Sequence, residues 1–193
     1  MNRLEEVRAM TIKALETAPP VSQLLSPLEY ILSDHFRQRA LCHALDDLAD
    51  SDTFDRELAA AALGFLQTEF SPHVIDEEED LFPLLRRRAQ PEDDIEEVLG
   101  ELSLEHATDR DDADRLIEEL TRAVETGGDG FPSSELAEIL HRFAANERRH
   151  LMVENAIVMP LARVRLTADD QRNLGRRMAA RRGVDYPEKL NAD

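Results

Sequence analysis

One pattern occurs twice in this chain, and any fold it adopts must accommodate both copies. His73 and Glu77 stand four residues apart, as do His150 and Glu154, and a proline follows each histidine by ten residues, at Pro83 and Pro160. The offset is constant: 150 − 73 = 77, 154 − 77 = 77 and 160 − 83 = 77. Leu84 and Leu161, Arg86 and Arg163, and Arg88 and Arg165 keep the same register. Four-residue spacing puts two side chains on one side of a helix, about 6 Å apart along its axis. The chain therefore carries an internal duplication, and the duplicated unit contains a potential metal-ligand pair.

Composition narrows what can surround those pairs. With 193 residues the chain suits one domain, 1–193, with a sizeable core. Only 7 glycines occur, tryptophan is absent, and Ala, Leu, Glu and Arg dominate, which favours an all-α fold. The single cysteine, Cys42, excludes an intrachain disulfide and fits a reducing compartment. No apolar run reaches the length of a membrane span, and the first residues, MNRLEEVRAM, lack the apolar centre of a signal peptide. A cytoplasmic location without membrane association is expected. The formal charge of −18 argues against a nucleic-acid partner, since phosphate binding needs a basic footprint.

Helix signals divide the chain further. Residues 2–17 form an amphipathic pattern that the prolines of TAPPVSQ terminate. Ser26-Pro27-Leu28-Glu29 has Ser at the N-cap, Pro at the first helical position and Glu three residues after the cap, so a first core helix runs to about Ala49. A second extends from about Thr53 toward Arg88, with a kink expected at Pro72 and an irregular last turn at Pro83. Pro91 opens a third, ending near Thr126 before the break GGDG. Pro132-Ser133-Ser134-Glu135 opens a fourth, to about Val164. Thr167-Ala168-Asp169-Asp170 resembles a capping box and starts a shorter helix ending near Gly183, with a loosely ordered tail beyond. The expected architecture is an up-down-up-down four-helix bundle over 26–165, flanked by an N-terminal helix and linker, 1–25, and a C-terminal helix and tail, 166–193. Arg172, Arg176, Arg177 and Arg181 of the last helix read as a solvated face, with docking onto an acidic surface as the alternative.

The histidines fit this bundle. His35, His73, His106 and His150 fall one to each long helix, and 106 − 35 = 71, as if one helical hairpin had been copied. From the turn near Gln90, His73 lies 17 residues back and His106 16 residues on, so at about 1.5 Å per residue both lie at similar depth. Only the first connection matches poorly, His35 being 16 residues from Ser51 and His73 22. His43 lies eight residues after His35, about 80° off its face, and His141 nine before His150, about 180° around, so neither joins the set. A lone helical His-x-x-x-Glu is usually a surface pair; its repetition with the proline argues for metal. Imidazoles with carboxylates suit iron, manganese or zinc, whereas thiolates mark structural zinc. Glu69 and Glu147, one turn before their histidines, read as ordinary charged positions, with orientation of the imidazoles as the alternative. Asp76, Glu78, Glu79 and Asp80 read as a solvated acidic face.

The order His35, His73-x-x-x-Glu77, His106, His150-x-x-x-Glu154, with EEEDLFPLL and ENAIVMPLA trailing the pairs, resembles the hemerythrin-like, or HHE cation-binding, family over roughly residues 26–165. The resemblance implies two iron ions with an oxo or hydroxo bridge, held by the four histidines with Glu77 and Glu154 bridging. Zinc and manganese are possible substitutes. It implies binding or sensing of O2, nitric oxide or peroxide in a stress response. The alternative is an iron donor or iron sensor related to the repair-of-iron-centres proteins. Oxygen-carrying hemerythrins have His-x-x-x-His on the third core helix, whereas Arg110 stands fourth after His106 here. The acid of the fourth helix also comes four residues after its histidine rather than five. Repair proteins usually carry an N-terminal extension with paired cysteines, which this N-terminus lacks.

Overall fold

A computed structural model describes residues 3–187. Among the described residues there is no strand. Helix α1 (Arg3–Glu16) and a 3₁₀ turn (Val21–Leu25) lead into α2 (Pro27–Asp50). Residues 56–88 then form one continuous rod: α3 (Arg56–Phe65), a π turn (Leu66–Phe70), α4 (Ser71–Ile75), a second π turn (Asp76–Leu81) and α5 (Phe82–Arg88). A 3₁₀ turn (Pro91–Asp93) precedes α6 (Glu96–Thr126). The fourth rod comprises α7 (Ser134–Val153), a π turn (Glu154–Val158) and α8 (Met159–Arg165), and α9 (Ala168–Arg181) closes the chain. The α2 rod packs along α7, α3 packs on α6, and α6 on α7, giving a four-rod bundle with α1 and α9 laid against it.

Helix caps follow the sequence signals with two exceptions. Asp55, Ser133 and Thr167 each accept a bond from the backbone N–H three residues on, and Thr167 with Asp170 completes a capping box. Ser26 does not cap with its side chain; its carbonyl accepts from Glu29 and Tyr30 instead. Pro91 opens only a 3₁₀ turn, because Asp94 takes a left-handed conformation before α6 begins. The break after α6 uses Gly127 at φ 81°, a conformation that costs glycine little.

The prolines expected to kink or roughen the second rod do neither in the ordinary way. Proline lacks an N–H and its ring crowds the carbonyl four residues back. Here the turn before each repeated proline is widened: the N–H of Phe82 bonds the carbonyl of Glu77, and that of Met159 bonds the carbonyl of Glu154, five residues apart in both cases. Pro83 and Pro160 then enter as the second residue of a new α segment. The duplication thus extends to the backbone, and each duplicated glutamate sits at the start of a π turn.

Two apolar clusters flank a polar layer. One contains Leu41, Leu45, Leu58, Phe65, Leu116, Leu140 and Phe143; the other contains Leu28, Ile31, Leu81, Leu85, Leu99, Leu102 and Val158. On each rod the histidine lies between the residues of one cluster and those of the other. The poor depth match at the first connection is resolved by the loop 51–55. Counted from the rod ends, 50 − 35 = 15 and 73 − 56 = 17, so His35 and His73 are nearly level.

The basic face of the C-terminal helix is solvated at Arg172 and Arg176 and docks on an acidic surface of the same chain through the residues that follow. Arg177 bonds Asp80, Arg181 bonds Asp76 and, at 2.9 Å, Asp80, and Arg182 reaches Asp76 at 2.7 Å. Asp76 and Asp80 are buried, so the expectation of an exposed acidic run fails for them while holding for Glu79. Arg88 meets Asp170 at 2.8 Å from the other side, and a Cβ on Gly175 would collide with the Leu24 carbonyl, so α9 seats close against the 3₁₀ turn. Arg176 lies over the Tyr186 ring, and Val184 packs on the second cluster, so the tail is ordered at least to Pro187; residues 188–193 lie outside the described region. Removing one partner of a buried ion pair leaves the other charge uncompensated, at a cost of about 3–5 kcal/mol. Asp76→Ala is expected to destabilise the metal-free protein by about that much, read as a lower urea midpoint with an unchanged m-value.

Candidate metal centre

The polar layer is built by the six residues singled out from the sequence. His35 comes from α2, His73 from α4, His106 from α6 and His150 from α7, while Glu77 and Glu154 come from the π turns Asp76–Leu81 and Glu154–Val158. Five of them are no more than 3 % exposed, and His106 is 9 % exposed. Their donor atoms form two groups that share both glutamates: His35, His73, Glu77 and Glu154, and His106, His150, Glu77 and Glu154, each with its atoms within 4.8 Å of one another.

Each glutamate divides its oxygens between the groups. Glu77 turns Oε1 to His35 Nε2 (3.4 Å) and His73 Nε2 (3.3 Å), and Oε2 to His106 Nε2 (3.4 Å). Glu154 turns Oε2 to His35 Nε2 (3.4 Å) and Oε1 to His150 Nε2 (3.3 Å). These separations are long for hydrogen bonds. They match ligands of a common ion: two atoms bound at about 2.1 Å and subtending about 105° lie about 3.3 Å apart. Glu77 Oε2, His150 Nε2 and both Glu154 oxygens are buried without a hydrogen-bond partner, a costly state for polar atoms that a cation relieves. The residues present therefore fit a pair of metal ions, with four protein atoms for each.

The second nitrogen is hydrogen-bonded in three of the imidazoles, and in His73 it faces a carboxylate beyond bonding distance. His35 Nδ1 faces Asn155 Oδ1 at 3.1 Å, and Asn155 Nδ2 donates to the Leu151 carbonyl at 2.6 Å, which sets the amide's orientation. His106 Nδ1 meets Glu78 Oε1 at 2.7 Å, with Ser103 donating to the other Glu78 oxygen. His150 Nδ1 meets Glu105 Oε2 at 3.0 Å, and His73 Nδ1 faces Asp34 Oδ2 at 3.9 Å. A proton on Nδ1 leaves the Nε2 lone pair for a metal.

Neither Glu69 nor Glu147 is among these four groups. Glu69 pairs with Arg37 at 3.2 Å, and Glu147 is buried on α7, where burial pushes its carboxyl up to about 7. Glu78, read as part of a solvated run, instead holds His106. A usable signal existed in the sequence. Each partner is the chain neighbour of a ligand and serves the next rod in order: Asp34 for His73, Glu78 for His106, Glu105 for His150, Asn155 for His35. They also obey the duplication, since 155 − 78 = 77 and 105 − 34 = 71. His43 is exposed and His141 pairs with Asp46 and Asp50, so both stand outside the centre as expected. Arg110 is exposed and contributes nothing to the ligand groups.

The site's electrostatics call for positive charge. Burial opposes charging of His73, His106 and His150, but the surrounding carboxylates outweigh it and raise them to about 9, about 10 and about 9. Burial likewise opposes ionisation of Glu77, and His73, His106 and His35 hold it well below the ordinary carboxylate range. Protons thus stand in for cations in the metal-free protein.

This arrangement defines a four-rod helical bundle with a buried His/Glu layer able to coordinate metal in its interior. The chain belongs to the hemerythrin HHE cation-binding domain family, whose model matches residues 26–168. No curated protein matches it.

Because the three histidines have folded values above their ordinary 6.5, the stability they contribute is complete below that pH and lost as pH rises through about 9–10. The metal-free protein is expected to lose thermal stability across that window, and the metal-loaded protein to lose much less, in melting curves from pH 6 to 10. Metal uptake must displace those protons, so at pH 7 in two buffers of different ionisation enthalpy calorimetry should show proton release.

Proposed function

We propose that the chain holds two iron ions and uses their open coordination positions to bind O2, peroxide or nitric oxide in a stress response. The observation that carries this reading is the division of each buried glutamate's oxygens between two His₂ groups. Such sharing suits two cations and serves no purpose for one. Four protein atoms per ion leave about two positions of an octahedral ion open, and open positions are where small ligands bind. The donor set has no thiolate, which favours iron, manganese or zinc over a structural zinc site.

Bound iron supplies redox and ligand-binding chemistry, and the protein controls access and orientation. The two apolar clusters exclude water above and below the layer. A cleft of about 370 Å³ between the second rod and α6 reaches His106, with Leu66, Phe70, Val74 and Ile75 among its walls. Arg110 and Asp114 complete the lining, so a small molecule reaches His106 along mostly apolar walls that carry one charge of each sign. Phe82 stacks on His106 with ring centroids 6.0 Å apart, which fixes the imidazole at the cleft's inner end. In the metal-free protein burial raises Glu147, one helical turn before His150, to about 7.

Metal analysis of purified protein together with its absorption spectrum is the first test, and about two ions per chain is the expected content. Anaerobic protein loaded with iron(II) should then give new charge-transfer absorption with at least one of O2, hydrogen peroxide or nitric oxide. Silence toward all three removes ligand binding. Transfer of the iron to a metal-free acceptor in that case favours the iron-donor alternative. Glu77→Ala and Glu154→Ala should each reduce retained metal from two ions to one or none, since either removes a ligand from both groups.

A further inference from the structure

The two metal positions are alike in their direct ligands and unlike in what stands behind them. At the position made by His106 and His150, both imidazoles meet a carboxylate through Nδ1, Glu78 at 2.7 Å and Glu105 at 3.0 Å. At the position made by His35 and His73, the duplication places Asn155 where Glu78 stands and Asp34 where Glu105 stands. His35 therefore donates to a neutral amide oxygen. His73 faces the Asp34 carboxylate at 3.9 Å, outside hydrogen-bond reach, and Arg37 (3.2 Å) and Arg182 (3.5 Å) draw on that charge. A carboxylate behind an imidazole raises its basicity and adds negative charge beside the ion. Access differs in the same sense. The side chains of Glu78 and Glu105 are each 30 % exposed and that of Asp34 is 2 % exposed, and His106, the most open ligand, adjoins the cleft.

We infer that the two positions fill in a set order: the His106/His150 position takes the first divalent cation, and the His35/His73 position the second. Glu78 and Glu105 are the positioning residues that set this order, and Asn155 is the substitution that breaks the symmetry between the copies. The inference rests on the two-ion reading and deepens it. Two binding steps alone would not establish it, because the shared glutamates make a first ion weaken the second even in a symmetric centre. Where the first ion sits is decisive.

Cobalt(II), added to the full-length metal-free protein, is a suitable probe, because an imidazole bound to it shows its Nδ1–H proton as a strongly shifted NMR signal. At one equivalent two such signals are expected, and Glu78→Gln should move one of them while Asn155→Asp moves neither. At two equivalents two more should appear, and Asn155→Asp should move one of these. In parallel calorimetry, Glu78→Gln should weaken the tighter step about 10-fold, and Asn155→Asp should strengthen only the weaker one. Both replacements nearly preserve size at partly exposed residues, and unchanged melting of the metal-free variants separates positioning from folding. Four signals of equal intensity at one equivalent, or a first pair that responds to Asn155→Asp, overturns the order while leaving the two-ion reading intact. A total uptake other than two ions removes that reading and the order with it.

Discussion

Two fully buried glutamates, Glu77 and Glu154, lie at the centre of this protein, and the rest of the structure is arranged around the electrostatic demand they make. A lone buried carboxylate is so costly that it ordinarily takes up a proton. Glu77 is instead held well below its usual range by imidazoles on three sides. The same carboxylates keep His73, His106 and His150 charged far above the ordinary histidine range. Neither set is stable in the interior without the other or without cations. Carboxylates shared between two groups of imidazoles form two clusters able to coordinate metal.

The backbone serves the same end. Each glutamate lies in the first two residues of a π turn, and the proline six residues on fits where the wider turn has removed the need for its N–H. The apolar clusters above and below the layer fix the depth of all four rods. The outer helices then close the ring from behind. Arg37 of α2 bonds the last carbonyls of α1 and the Asp34 carboxylate, and Arg182 at the end of α9 reaches both Asp34 and Asp76. Charges on the terminal helix are thus part of the surroundings of His73, although α9 contributes no ligand.

The partners of the imidazoles form a closed circuit. Asp34 beside His35 looks to His73, Glu78 beside Glu77 looks to His106, Glu105 beside His106 looks to His150, and Asn155 beside Glu154 looks to His35. A helix places neighbouring residues about 100° apart. If one residue points into the bundle, the next therefore points along the seam with an adjacent rod. The 77- and 71-residue offsets repeat this geometry around a ring, and Asn155 against Glu78, with Asp34 against Glu105, makes its halves unequal.

By itself the sequence determined the helical class, the four rods and the six residues of the centre, because each rests on a local period or a fixed offset. The 77-residue repeat singled out His73, Glu77, His150 and Glu154, and counting from the turns added His35 and His106. Only the tertiary structure decided which charges are buried. Asp76 and Asp80 look in the sequence like Glu79, yet Arg177, Arg181 and Arg182 lie against them and leave Glu79 exposed. Burial of a charge depends on what packs over it from elsewhere in the chain, about 100 residues away here, and no local pattern carries that information. The division of each glutamate's oxygens between the two groups is likewise a property of four rods meeting, and no single rod contains it.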